Sequence, residues 1–427
     1  MKKILKNVIT HPLFSGSAIM IIGSNSVSFI NYLYHFVMGR MLGPANYGEL
    51  VSLISLIGLL GMIPGAASLV IVKQFSSAKD VTEINNLIGW FKTKIFIFSL
   101  IFSLLILIFS PYISSFLNIN KVSYLILISI FFLFSLQSGF IRAILQGLLK
   151  FKEMVLSILV ENGLKLILSI LLVYLGFQIG GVMIALVISS LLGFYITNSY
   201  LKHTSVHTSF SPDVKSMLTF ILPVTIQSIA VTSLYSSDVI LVKHFFPAHE
   251  AGIYAALSTL GKIIFFGTGP IAAVMFPLVS RRKATGQNYR KIFFNSFIAT
   301  SMLAIIISVV YWLIPSFAIN LLYGGAYIEA ADLLIWFGIF MSLFTLSSLL
   351  INFNLSLGKT KVVILPLIAA FIQIVLIWFY HQNLLTIVLE STLITALLLV
   401  LLLIYSIYGG KLNINNSSRF QARGNDS

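Results

Sequence analysis

Apolar residues in this chain come in long, nearly unbroken runs separated by short polar punctuation. One run, Phe14 to Met38, leads into Gly39-Arg40-Met41-Leu42-Gly43-Pro44-Ala45-Asn46-Tyr47-Gly48-Glu49, and another, Leu50 to Val72, leaves it. About 20 apolar residues span a bilayer as a helix. On that length, twelve segments are expected, near 14–38, 50–72, 95–117, 122–144, 154–176, 179–201, 216–242, 251–278, 292–318, 328–354, 362–381 and 384–408. Gly43-Pro44 breaks the first helix. Proline disfavours the helical conformation in the residue before it and has no N–H to give. Gly48 lets the next helix begin close against a neighbour. The stretch therefore reads as a tight hairpin between two membrane helices.

The hairpin has an echo. Lys243-His244-Phe245-Phe246-Pro247-Ala248-His249-Glu250-Ala251-Gly252 repeats a basic residue, a proline-alanine pair and a glycine opening a new apolar run. Pro64-Gly65-Ala66-Ala67 is answered by Pro270-Ile271-Ala272-Ala273. Matching positions lie roughly 205 residues apart, so the chain reads as two homologous halves. The expected divisions are residues 1–205, residues 206–410 and a polar tail, 411–427. The fold class is an all-α polytopic membrane protein with two pseudo-symmetric six-helix lobes.

Composition agrees: 58% of the 427 residues are hydrophobic and only 9% charged, against about 25% charged in a soluble domain. There is no cysteine, which excludes disulfides and thiolate metal sites. A net charge of +15 would suggest nucleic acid in a soluble protein. Here the distribution gives another reading. Of the 27 basic residues, Arg40, Lys121 and Lys243 fall on one side of the expected membrane and Lys165 and Lys262 inside helices; all others fall on the opposite side. By the positive-inside rule both termini are cytoplasmic, and no nucleic-acid partner is expected.

The connections are short, with no room for a soluble domain. Between Lys73 and Lys94, the spacing of Val81, Ile84, Leu87, Ile88, Trp90 and Phe91 suits a short amphipathic helix on the membrane surface. Residues 202–215 join the halves. His203 and His207 there have no acidic or cysteine partner nearby, so a metal site is not expected. No Walker-type phosphate loop appears, and no cofactor is expected beyond a coupling H⁺ or Na⁺.

Arg40-Met41-Leu42-Gly43-Pro44, then Tyr47-Gly48 before a Leu/Ile-rich run, resembles the first hairpin of Wzx-type oligosaccharide flippases, polysaccharide transporters of the multidrug/oligosaccharidyl-lipid/polysaccharide exporter superfamily. Leu145-Gln146-Gly147-Leu148-Leu149-Lys150-Phe151-Lys152 is similar to the family's turn after helix four. Leu357-Gly358-Lys359-Thr360-Lys361 is similar to its turn after helix ten. Asp238, with Pro247, Ala251-Gly252 and Tyr254, resembles its seventh-to-eighth helix hairpin. The resemblance implies two lobes around a central cavity and export of a lipid-linked oligosaccharide by alternating access. It implies membrane lipids as surroundings, and glycosyltransferases and a polymerase as pathway partners. It names no enzyme activity and no particular sugar.

A polyprenyl-diphosphate sugar must carry its anion through a layer of low dielectric, and fixed cations in a hydrated cavity reduce that penalty. Lys165 and Lys262 lie deep in helices, one in each half. An intramembrane charge usually faces a cavity and a partner. Either lysine lines the substrate path, or Lys165 pairs with Glu161 one turn earlier and Lys262 snorkels or bonds backbone carbonyls. Arg142, with Lys150 and Lys152, would collect a diphosphate, or simply reflects positive-inside bias. Asp238 aligns with His35 in the repeat. The two would pair at an outer gate, Asp238 would take a coupling H⁺ or Na⁺, or both are solvated at the interface.

Two other classes compete. A drug/cation antiporter of the same superfamily needs a buried carboxylate; Glu161 is the acid deepest in a helix, and Lys165 compromises it. A membrane glycosyltransferase or polymerase needs acidic residues beside a large outer loop, which the sequence lacks. A major-facilitator sugar porter would carry a basic, glycine-rich loop between helices two and three, and residues 72–94 do not form one.

Overall fold

The computed structural model describes residues 12–78, 80–119, 121–201 and 214–408. The expected tail and residues 202–213 of the joining segment, with His203 and His207, lie outside these residues. In chain order the helices are α1 (Pro12–Ser77), α2 (Val81–Phe116), α3 (Ser123–Gly147), α4 (Phe151–Tyr174), α5 (Gln178–Ser199), α6 (Val214–Leu234) and α7 (Ser237–Phe245). They continue as α8 (Ala248–Ala284), α9 (Arg290–Leu313), α10 (Pro315–Leu322), α11 (Ala331–Ser356), α12 (Ile364–Phe379) and α13 (Leu384–Tyr408). Short 3₁₀ turns cover Gly325–Ala330 and Thr360–Val363. No strand occurs among the described residues.

Among the described residues, ten helices are long and apolar enough to cross a membrane. A pair bent by 48°, Val224–Leu234 with Ser237–Phe245, makes an eleventh if it is one span. The first of the ten contains a break. Its 56 residues, Ile22–Ser77, would measure about 84 Å as one helix, far more than the ~30 Å hydrocarbon core. At Gly43, φ is 71° and ψ 172°, a left-handed conformation open to glycine. Two helices therefore meet there, as Gly43-Pro44 predicts, and the set is consistent with twelve segments.

One expectation is corrected. Residues 81–94 are not a separate surface helix; they are the first turns of α2. Asp80 caps that helix by accepting the Glu83 N–H at 2.7 Å, and no breaker separates the amphipathic turns from the apolar run that follows. Leu87, Ile88 and Phe91 are buried, with the Phe91 ring 5.9 Å from Phe75. The apolar stripe thus faces protein rather than lipid headgroups. At 36 residues, about 54 Å, α2 projects well beyond the hydrocarbon.

The described residues divide into two compact units. The first holds the chain up to Thr225 together with Phe246–Gly252; the second holds Ile226–Phe245 and the chain from Ile253. The first unit's core centres on Tyr34, Met38, Tyr47, Leu50, Leu53 and Phe132, all essentially inaccessible. In the second, Tyr254, Phe337, Phe340 and Phe344 form an aromatic core, with Tyr254 and Phe337 at 5.3 Å. Large apolar side chains such as Ile108, Phe294, Ile305, Phe371 and Leu393 cover the outside. That surface suits lipid contact, and the chain is a multi-pass membrane protein.

Candidate functional site

Each unit holds a polar cluster inside its helices. In the first, α4 carries Ser157, Glu161 and Lys165 at four-residue spacing, so they share one face. Arg142 of α3 comes across to that face. Its Nε donates to Ser157 Oγ at 2.9 Å, and one terminal nitrogen meets Glu161 Oε2 at 2.5 Å. Gly193 of α5 leaves the room Glu161 needs, because a Cβ at that position would collide with the carboxylate. A low-dielectric setting makes each charge costly alone and their pairing favourable.

This pairing decides the state of Lys165. Glu161 is taken by Arg142, and Lys165 makes no ion pair among the described residues. Its ammonium donates instead to Asn31 Oδ1 of α1 at 2.6 Å and to Asn162 Oδ1 at 3.1 Å. It also lies 4.7 Å from the centre of the Tyr34 ring, a cation–π distance. An ammonium has three donors, and two of them go to these amides. Amide oxygens and a π face orient the cation, with Glu161 in electrostatic reach.

The second cluster sits at the break between α6 and α7. Ser233 and Ser237 hydroxyls bridge it at 2.6 Å. Asp238, fully buried in the first turn of α7, accepts from Tyr254 Oη at 2.7 Å and from the Val239 N–H at 2.8 Å. Lys262 of α8 lies within electrostatic reach of Asp238. Its ammonium is 5.4 Å from the Tyr235 ring centre. In the first unit His35 does what Asp238 does in the second: its Nδ1 is 3.1 Å from Tyr47 Oη. Both members of the repeat tie their helix to a tyrosine of the helix that follows.

The structure thus joins Arg142 to Glu161 and brings Asp238 near Lys262, while Lys165 goes to asparagines. Tyr34, Ser157, Asn162 and Tyr235 were not singled out by sequence reasoning. Asn162 carried a usable signal, since it precedes Lys165 by three residues and shares its face. The tyrosines carried none, because aromatic residues are abundant throughout the chain.

The family model for polysaccharide biosynthesis proteins matches residues 37–332, more than half of the chain. The chain belongs to that family. An uncharacterized membrane protein of Methanocaldococcus jannaschii is 24% identical over 274 residues, covering 59% of this chain. The match spans 64% of that protein's length, under two thirds. Among solved structures, an inward-facing multidrug resistance transporter of the MATE family and MOP superfamily superposes with a TM-score of 0.70 at 16% identity. It covers 91% of this chain and 95% of that one. The lipid II flippase MurJ in an inward closed conformation gives 0.72 at 16% identity, covering 91% and 87%. This polysaccharide biosynthesis family member therefore has the fold of the MOP-superfamily transporters.

Proposed function

We propose that this chain is a flippase, exporting a lipid-linked oligosaccharide carried on polyprenyl diphosphate for cell-surface polysaccharide synthesis. It works by alternating access in the cytoplasmic membrane, with both termini cytoplasmic. The observation that carries this reading is Lys165, a mid-helix ammonium held by Asn31 and Asn162, with Glu161 in electrostatic reach but ion-paired to Arg142 instead. An intramembrane cation oriented but left charged suits an anionic substrate, and the diphosphate is one. Family membership favours the same substrate class. Lys262 is the corresponding cation of the second unit, its charge offset by Asp238. Asp238 is the group through which H⁺ or Na⁺ drives the cycle. Arg142 acts in this scheme by removing Glu161 from Lys165.

The antiporter reading fares worse on the same geometry. A bulky drug cation needs open room beside a carboxylate, but Glu161 is held by Arg142 and Asp238 is fully buried, which leaves access only to a small ion. The deciding experiment is flipping of a labelled lipid-linked oligosaccharide in proteoliposomes. Losing one charge-assisted contact at about 1.5–3 kcal/mol, Lys165→Gln is expected to flip roughly tenfold or more slowly. Wild-type flipping by that variant refutes the reading.

A further inference from the structure

The two units differ in how their basic ends are neutralised. In the first unit, Lys73, Lys92, Lys94, Lys150 and Lys152 are interspersed with Asp80, Glu83 and Glu153. In the second, residues 281–291 and 359–361 hold arginines and lysines and no carboxylate. The described acids of that unit lie elsewhere: Asp238 on α7, Glu329 and Asp332 before and at the start of α11, and Glu390 in the first turns of α13. General positive-inside bias predicts an excess of basic residues at this end, but not where their ammonium groups are placed.

That placement is specific. Lys283, in the last turn of α8, donates to the carbonyl of Leu357 at the end of α11. The following turn is closed by Gly358 with φ 71°, and a Cβ there would lie 4.0 Å from the Lys283 ammonium. Lys359, the next residue, holds its ammonium 5.8 Å from the ring centre of Tyr405 on α13. Burial first, and then the neighbouring Lys283 charge, hold Lys359 below the ordinary lysine value. Neither lysine makes an ion pair among the described residues. Beside Tyr405 on α13, Leu401 and Ile404 present exposed apolar side chains.

We propose that Lys283, Lys359 and Tyr405 form a site for the phosphate of an anionic phospholipid headgroup at the basic end of the second unit. The two ammonium groups and the phenol supply donors on converging elements. A phosphodiester anion relieves the repulsion between the lysines. The exposed face of α13 gives the acyl chains an apolar surface, and a tyrosine is at home at the membrane interface. A free phosphate shares the headgroup's charge but has no use for that apolar face. The site is independent of the proposed flippase activity, and its test uses binding alone.

Native mass spectrometry of the full chain with phosphatidylglycerol and phosphatidylcholine tests it. Wild type is expected to retain phosphatidylglycerol preferentially. Lys359→Gln leaves the Lys283–Leu357 contact in place and is expected to weaken retention about fivefold, the scale of one basic residue at an anionic surface. Lys283→Gln/Lys359→Gln weakens it further. The charge-matched Lys92→Gln/Lys94→Gln variant should bind as wild type does. Unchanged retention in Lys359→Gln, or equal loss in the control pair, overturns the site. Displacement of the lipid by an equal concentration of inorganic phosphate overturns the lipid assignment.

Discussion

Gly48 and Gly252, corresponding positions of the two halves, lie directly against each other within the first unit. A Cβ on Gly48 would stand 2.5 Å from the Gly252 nitrogen, and one on Gly252 would run into the Pro44 carbonyl oxygen. Both obstacles are backbone, which does not rotate away as a side chain does. Overpacking of this kind costs about 1–3 kcal/mol. Gly252→Ala is therefore expected to lower thermal stability by at least that much, and Gly48→Ala to do likewise. Gly61, in α1, has nothing within 4 Å of its would-be Cβ. Gly61→Ala should be neutral or stabilising by up to about 1 kcal/mol. Equal losses at all three positions, read as melting temperatures, would refute the packing account.

The Arg142–Glu161 pair is nearly enclosed, with its side chains 15% and 14% exposed. Glu161→Gln leaves Arg142 charged without a carboxylate, at roughly 3–5 kcal/mol, and should destabilise strongly. Arg142→Gln should cost less, because Lys165 stays in electrostatic reach of Glu161. The double variant should recover much of the loss, because no orphan charge remains. A double-mutant cycle by chemical unfolding checks this; additive losses would mean that the pair is not coupled.

The fold was legible because its signals are long. Apolar runs of membrane length and the Gly43-Pro44 break each mark segments without reference to the rest of the chain. The surface helix over 81–94 was misread for the same reason. Its stripe of Leu87, Ile88 and Phe91 has the same period whether it faces headgroups or protein. In the polar clusters the charged residues stood out against an apolar background, but their partners did not. Glu161 lies four residues before Lys165, and local spacing favours pairing them. Arg142 is 19 residues from Glu161 and reaches it only because α3 packs beside α4. Asn31 is 134 residues from Lys165, a separation no local pattern encodes.

Topology is open to a direct test because the chain contains no cysteine. Ala45 follows Pro44 in the first hairpin and is exposed, as is Gln287 between α8 and α9. A cysteine at Ala45 should react with a membrane-impermeant maleimide from outside intact cells. One at Gln287 should react only after the membrane is opened. The reverse pattern would invert the proposed orientation.

Asp238 and Tyr254 separate coupling from stability. Tyr254→Phe removes a buried donor to the Asp238 carboxylate, a loss of about 1–3 kcal/mol, and should lower the melting temperature. Asp238→Asn keeps an oxygen for the Tyr254 hydroxyl but removes the charge. It should leave the fold intact while export stops responding to imposed H⁺ and Na⁺ gradients. A gradient response unchanged in Asp238→Asn would leave this carboxylate a purely structural tie between α7 and α8.

The sharpest test of the cation-lined path lies at Asn31. Its Oδ1 is 2.6 Å from the Lys165 ammonium, so Asn31→Asp exchanges an amide for a carboxylate of nearly the same size at ion-pair distance. The amine stays in place and its net charge is cancelled. If Lys165 serves by presenting an unneutralised charge, Asn31→Asp should slow flipping about as much as Lys165→Gln, while stability holds or rises because a partly buried charge gains a partner. Asn31→Ala removes one tether and leaves the charge, so its loss should be smaller. Lys165→Arg keeps the charge with a planar fork that cannot repeat the contacts to Asn31 and Asn162, and should retain part of the rate. Loss of flipping with preserved stability in Asn31→Asp is an electrostatic signature, since a structural role for Lys165 predicts no loss when its partner is strengthened. Wild-type flipping by Asn31→Asp would show that the charge on Lys165 is not what moves the substrate.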